Sequence, residues 1–267
     1  NLKHLIVQDI FFTETASYAD VIFPASAWPE KNGTVTNTNR QVQMGRKAID
    51  PPGKAKEDWI IIIELANKLG LKWNYSHPKD IFNEMKSAMP SLDNITWDRL
   101  EKENSVTYPC DSETSLGQEV VFAEGFPIKG GKGKFVPANI LPSNELPDNE
   151  FSMILTTGRQ LEHWHTGAMT RRASNLDAIE PEPTVSLSPI DIENINLKAG
   201  DYVKVTTRRG SIKIRIRKDS SIPKGLIFIP FCYNEAAANI LTNAALDPYG
   251  KIPEFKFCAA KLEHLSQ

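Results

Sequence analysis

Val203-Lys204-Val205-Thr206, then Arg208-Arg209-Gly210, then Ile212-Lys213-Ile214-Arg215-Ile216-Arg217: apolar and polar side chains alternate with period two on both sides of a short basic turn. Successive side chains of a pleated strand point to opposite faces, so the stretch reads as a hairpin with a dry aliphatic face and a wet, basic outer face. Residues 151–156, 184–187, 201–207, 211–217 and 226–230 each read as a strand, and Phe255-Lys256-Phe257-Cys258 alternates into one more. A short helix is expected at 190–195, before the tight turn Leu197-Lys198-Ala199-Gly200-Asp201. Residues 151–267 are therefore expected to form a mainly β domain, a small closed barrel with inserted helices.

Residues 1–72 read differently. Leu5-Ile6-Val7, ending at Gln8-Asp9, is expected to be a buried strand, and 18–24 a second one closed by Pro24. Residues 58–69 place Ile61, Ile62, Leu65 and Leu69 at helical spacing, with Gly70 as a stop and Asp58 as a candidate N-cap. Trp59-Ile60-Ile61-Ile62-Ile63 has strand propensity, but Pro51-Pro52 before it and the glycine after it favour helix. The zone reads as an α/β segment. Between 73 and 150, short helices are expected at 81–85, ended by Pro90, and at 97–103. Beyond them Gly130-Gly131-Lys132-Gly133 and Pro137, Pro142 and Pro147 suit a long connection with short strands. Residues 125–150 read either as a flexible linker or as an ordered crossover.

Bulk properties exclude several classes. The 267 residues carry 31 Lys+Arg against 33 Asp+Glu, a net charge of -2, whereas a general nucleic-acid binder brings a basic excess. The longest apolar run, 59–63, is too short to span a membrane. Three cysteines, Cys110, Cys232 and Cys258, have no CxxC spacing and cannot pair completely, which suits a reducing, cytoplasmic compartment. The chain opens at Asn1 and enters a strand at once, so it is expected to be the later part of a longer polypeptide.

Chemistry concentrates after the strand at 151–156, in Thr157-Gly158-Arg159-Gln160-Leu161-Glu162-His163-Trp164-His165-Thr166-Gly167, running on to Met169-Thr170-Arg171-Arg172. Glycine lets a backbone approach a ligand, arginines and N–H groups hold phosphate, and His and Trp offer flat faces with polar edges. A site gripping a flat polyanion needs that mixture; a turn followed by an exposed loop is the plainer reading. His163-Trp164-His165 would put both rings on one face of a strand, but only Glu162 arrives as a third metal ligand, so hydrogen bonding to a bound molecule is the better reading. Cys232 and Cys258 read as small buried side chains, and no nucleophile elbow occurs. Gln8-Asp9 falls at a strand's carboxyl end, where open α/β sheets bind ligands, or else is a plain turn. Lys31, in the loop Glu30-Lys31-Asn32-Gly33-Thr34, is poised for an anion or simply solvated. The basic hairpin lacks interleaved aromatics and reads as a solvated face rather than an RNA surface.

The segment 158–172 resembles the molybdopterin oxidoreductases of the dimethyl sulfoxide reductase type. More closely it is similar to the catalytic subunits of cytoplasmic NAD-dependent formate dehydrogenases and the related nitrate reductases. Thr13-Glu14-Thr15-Ala16, Ala19-Asp20-Val21-Ile22-Phe23-Pro24 and Glu30-Lys31-Asn32-Gly33-Thr34 match the family's α/β domain. Asn243-Ala244-Ala245-Leu246-Asp247-Pro248 and Pro253-Glu254-Phe255-Lys256-Phe257-Cys258-Ala259 match its C-terminal end. The resemblance implies a partial Rossmann-like α/β segment over 1–72, a helical and irregular connection over 73–150, and a six-stranded double-psi barrel over 151–267.

It also implies two molybdopterin guanine dinucleotides holding molybdenum or tungsten, contacted by Gln8, Asp9, Lys31 and Asp58 in the first zone. In the last zone it implies contacts from Thr157, Gly158, Arg159, Gln160, Leu161, Glu162, His163, Trp164, His165, Thr166, Phe231, Asn239 and Lys256. Asp9 or Asp58 would read guanine, Lys31 and Arg159 would neutralise phosphate, Asn239 would meet the pterin edge, and Phe231 a ring face. Gly158 would let the backbone come close. No catalytic residue and no metal ligand is assigned to this chain: the cysteines of the family's four-iron cluster and its metal-ligating residue belong to the N-terminal half. Formate would lose two electrons and a proton, with electrons leaving through iron–sulfur clusters to flavin and NAD on partner subunits. The run Tyr233-Asn234-Glu235 through Pro248 favours formate over nitrate. Besides a nitrate reductase fragment, a pterin-carrying module without catalysis and a basic RNA-binding barrel are the competing readings.

Overall fold

The computed structural model describes residues 2–265, and the chain divides into two compact units, Asn1–Pro137 and Ala138–Gln267. In the first unit β1 (Ile6–Asp9) and β2 (Val21–Pro24) run parallel, Ile6 opposite Val21 and Asp9 opposite Pro24. A separate antiparallel sheet has the order β3 (Gly33–Thr36), β4 (Gln41–Gly45) and β5 (Ser105–Thr107). Three helices complete the unit: α1 (Asp58–Lys68), α2 (Pro78–Ala88) and α3 (Trp97–Glu103). Val42, Phe82, Ile95, Trp97, Leu100 and Val106 form its main apolar cluster, so that core lies where α2 and α3 meet β4 and β5.

The helix at 58 ends as its glycine predicts. Gly70, at φ +89°, donates to the Asn67 carbonyl and Leu71 to the Ala66 carbonyl, both at 3.0 Å, the paired bonds of a Schellman close. Its start differs. Glu57, not Asp58, holds the N-cap position, in extended geometry and without a side-chain cap bond. The reason is that the Asp58 carboxylate, in the first turn, is taken by Gln8 and Lys31. The apolar stripe is also only partly dry: Ile61 and Ala66 are buried, whereas Ile62, Leu65 and Leu69 are exposed. Helical spacing fixes which side chains share a face, not how much of that face a neighbour covers. The expected short strands in the connection are absent, since residues 108–152 carry turns and bends but neither helix nor strand.

In the second unit six strands close into a barrel: β6 (Met153–Gly158), β7 (Thr184–Leu187), β8 (Tyr202–Thr206), β9 (Ser211–Lys218), β10 (Leu226–Pro230) and β11 (Cys258–Glu263). The circular order is β10-β6-β11-β8-β9-β7. Pairs β10–β6 and β7–β9 are parallel, and the others antiparallel. Two short helices, α4 (Ser174–Ile179) and α5 (Pro189–Asn194), flank β7. Every second residue of the hairpin points inward: Val203, Val205, Ile212, Ile214 and Ile216 are buried with Leu155, Val185, Leu187, Ile227 and Ile229. Each such side chain contributes roughly 1.5–3 kcal/mol, which makes the barrel interior the unit's main source of stability. The outer basic face is largely neutralised, with Arg215 paired to Glu182, Arg217 to Glu180 and Lys204 to Glu263. Among the described residues no helix is long and apolar enough to cross a membrane.

Candidate functional site

Register places the second unit's candidate residues. Because β6 and β10 are parallel, with Gly158 opposite Pro230, their carboxyl ends coincide, and antiparallel β11 brings the residues before Cys258 to the same end. Three contacts stitch this end together. The Phe231 N–H donates to the Gly158 carbonyl at 3.1 Å. The Thr157 hydroxyl donates to the Phe255 carbonyl at 3.0 Å, and the Lys256 ammonium to the Thr157 carbonyl at 2.7 Å. Lys256 also stands over the Phe255 ring, 5.5 Å from its centroid. Arg159, exposed, reaches within 3.5 Å of His165 Nε2. The His165 ring lies 6.4 Å from Phe231 and 4.6 Å from Trp164, centroid to centroid. Two cations, Arg159 and Lys256, and three flat rings, Trp164, His165 and Phe231, thus gather at one barrel end.

The loop is divided by burial. Trp164, His165 and Thr166 are exposed, as is Leu161, while Gln160 and Glu162 hydrogen-bond each other at 2.8 Å. His163 is turned inward, only 2% exposed, with both ring nitrogens engaged by protein. The two histidines therefore do not share a face: the chain turns at His165, φ +48°, instead of continuing as a strand. Among the described residues no group of three or more His, Cys, Asp or Glu side chains is arranged for a metal. Gly158 has a packing reason, since a Cβ there would stand 2.4 Å from the Phe228 ring. Asn239 is exposed on the 238–240 turn, and no hydrogen bond or ring contact among the described residues ties it to the cluster. Burial pushes the Cys232 thiol up to about 11, so it stays protonated and inert at neutral pH.

In the first unit, Gln8, Lys31 and Asp58 form one polar triad. Gln8 Nε2 donates to Asp58 Oδ1 at 2.7 Å, and the Lys31 ammonium pairs with Asp58 Oδ2. Burial opposes ionisation of Asp58, but hydrogen bonds from Lys31 and Gln8, with the Lys31 charge, outweigh it and hold the carboxyl below its ordinary value. Lys31 and Asp58 line a cavity of about 250 Å3 together with Gly33, Thr34, Trp59 and Trp97. Asp9 is not part of the triad; its Oδ1 accepts from the N–H groups of Ile10 and Phe11, closing the turn after β1. One residue escaped sequence reasoning here. Ser26 is 1% exposed, its carbonyl accepts from the Lys31 ammonium at 3.4 Å, and its hydroxyl has no hydrogen-bond partner among the described residues. An unsatisfied buried hydroxyl beside a lysine suits a bound polar group, and no local motif marks it.

A family model described as molybdopterin oxidoreductase matches residues 1–68, and one described as molydopterin dinucleotide binding domain matches 153–259, together more than half of the chain. The chain belongs to the molybdopterin oxidoreductase family. It is 47% identical over 267 residues to the F420-dependent formate dehydrogenase subunit alpha of Methanocaldococcus jannaschii, covering 99% of this chain and 40% of that protein. It is 40% identical to the F420-dependent formate dehydrogenase 1 subunit alpha of Methanococcus maripaludis, again over 99% of this chain and 40% of the relative. In fold it is similar to acetylene hydratase from Pelobacter acetylenicus, with a TM-score of 0.72 at 19% identity, over 97% of this chain and 40% of that one. The chain thus spans about 40% of the length of these relatives. The donor set fits a pterin dinucleotide: each unit offers cations for phosphate and polar or flat groups for the heterocycles.

Proposed function

We propose that this chain is the C-terminal part of a formate dehydrogenase catalytic subunit, and that its two units help hold bis-molybdopterin guanine dinucleotide carrying molybdenum or tungsten. The observation that carries the proposal is the likeness, along nearly the whole chain, to alpha subunits of formate dehydrogenases. In this reading residues 1–72 complete a Rossmann-like α/β domain, 73–150 connect, and 151–267 are a double-psi barrel. When bound, the pterin-held metal supplies the two-electron oxidation of formate to carbon dioxide. This chain's residues bind and orient. Arg159 and Lys256 neutralise phosphate, Phe231, Trp164 and His165 pack on ring faces, and the Asp58–Gln8 pair reads the polar edge of a base. Catalytic groups and four-iron clusters lie in the N-terminal part of the complete subunit, and the protein works in the cytoplasm.

The electron acceptor is the point on which the relatives redirect the sequence reading. That reading ended at NAD, through iron–sulfur and flavin partner subunits, whereas both relatives named above are F420-dependent. We place F420 first and NAD second. The test is formate oxidation by the complete enzyme with each acceptor in turn. Formate-dependent F420 reduction is expected; reduction of nitrate with no formate oxidation would overturn the assignment.

A further inference from the structure

Two segments far apart in sequence, the His163 turn and the Phe231-Cys232-Tyr233 run after β10, meet at one buried node. Tyr233 is 1% exposed, and its ring meets that of His163 edge to face, centroids 5.6 Å apart. The Tyr233 hydroxyl donates to the Glu180 carbonyl at 2.9 Å, and His163 Nε2 lies 2.7 Å from the same oxygen. A carbonyl can only accept, so Nε2 carries the hydrogen. Nδ1 faces the Thr170 hydroxyl at 3.3 Å. That hydroxyl accepts the Trp164 N–H at 2.9 Å, which leaves its own proton to donate to Nδ1. Both nitrogens of the ring are thus satisfied inside the protein, with nothing left for a ligand.

The other side of Tyr233 is held as firmly. The Arg171 guanidinium stands 4.9 Å from the ring centroid and pairs with Glu235 at 2.7 Å and Asp177 at 3.3 Å. Gly167, at φ +74°, seats the loop where a Cβ would come within 2.7 Å of the Cys232 carbonyl oxygen. The loop thus has an anchored inner side and a free outer side bearing Arg159, Trp164 and His165.

We propose that His163 and Tyr233 are positioning residues that lock this loop onto the barrel, so that Arg159, Trp164 and His165 are already in place when a pterin dinucleotide binds. The inference rests on the reading of the loop as a cofactor contact and takes His163 out of the contacting set. Fixing a loop before binding spares the affinity otherwise lost in ordering it.

The test uses the complete natural polypeptide, purified with its cofactor, and reads amide hydrogen exchange across 163–170 beside pterin content. His163→Gln can present an amide N–H near the Nε2 position, whereas His163→Leu cannot. Exchange in the Leu variant is expected to quicken about tenfold, as loss of a buried hydrogen bond allows, with pterin content falling and the Gln variant restoring both. Tyr233→Phe, which deletes only the hydroxyl, reads the same node should the Leu variant fail to accumulate. His165→Ala is expected to lower pterin content with loop exchange unchanged. Natural exchange in both His163→Leu and Tyr233→Phe would overturn the anchoring, as would a Gln variant no better than Leu. Quickened exchange with full pterin content in every variant, His165→Ala included, would leave the anchor standing and sink the cofactor reading instead.

Discussion

Arg99 is a buried cation in the first unit, and its five donors explain how it is tolerated there. Its guanidinium donates to the carbonyls of Asn94, Ser112 and Ser115, to Cys110 Sγ and to Glu103. Burial works against its charge, but its hydrogen bonds to Cys110 and Glu103 outweigh that and hold its pKa above the ordinary value. One side chain thereby ties α3 to the irregular run that follows β5. Arg99→Ala would strand several part-buried carbonyls and is expected to cost about 1–3 kcal/mol. Denaturant unfolding followed by tryptophan fluorescence checks this, because Trp97 sits in the same core; an unchanged midpoint would mean the carbonyls find other partners. Such a clasp is invisible in sequence, since Asn94, Ser112 and Ser115 share no spacing that a periodic element imposes. The burial of His163 was illegible for a related reason. Imidazole suits a ligand and a buried hydrogen-bonding node equally well, and its bond to the Glu180 carbonyl is made by a residue with no sequence mark.

At the scale of elements, the barrel strands were legible because a closed barrel buries every second side chain, and the hairpin's Val and Ile follow that period without a break. The connection was not, because Gly and Pro say where regular structure stops and not where the chain goes next. Its end is in fact strapped down. Glu145 pairs with Arg208 and Arg209 of the β8–β9 turn and accepts the Ala259 N–H at 3.2 Å, while Asn144 donates to Glu254. Burial raises the Glu145 pKa, but hydrogen bonds from Arg209, Arg208 and Ala259 outweigh it, so the folded value lies below the ordinary 4.5. A depressed carboxylate stabilises the fold fully above its unfolded pKa and loses that contribution as pH falls through the folded one. Glu145→Gln is therefore expected to destabilise by roughly 1–3 kcal/mol at neutral pH, with the gap to the natural protein closing below about pH 4.5. Unfolding midpoints across that range test it, and a gap independent of pH would contradict the ion pairs.

For the whole molecule, the family was readable from sequence because its signature residues, 158–172, form a mixture of Gly, Arg, His and Trp that a barrel core does not call for. The acceptor proposed above has no such local mark in this chain. The first unit shows apolar side chains to solvent, among them Tyr18, Trp28, Ile62 and Leu69, and among the described residues its parallel sheet has two strands. Parallel sheets are ordinarily covered on both faces. The 267 residues expressed alone are accordingly expected to bind a hydrophobic dye and to aggregate; a monodisperse chain that binds none would contradict this.

Both units are read as parts of one cofactor-binding protein, and that is tested most directly by what the complete polypeptide retains. Pterin and guanine nucleotide are to be quantified in the natural protein and in the variants Lys256→Ala and Asp58→Ala. Each removes a charged partner worth about 1.5–3 kcal/mol, so each variant is expected to hold at least about tenfold less cofactor with its secondary structure unchanged. Full cofactor content in both variants would contradict the site.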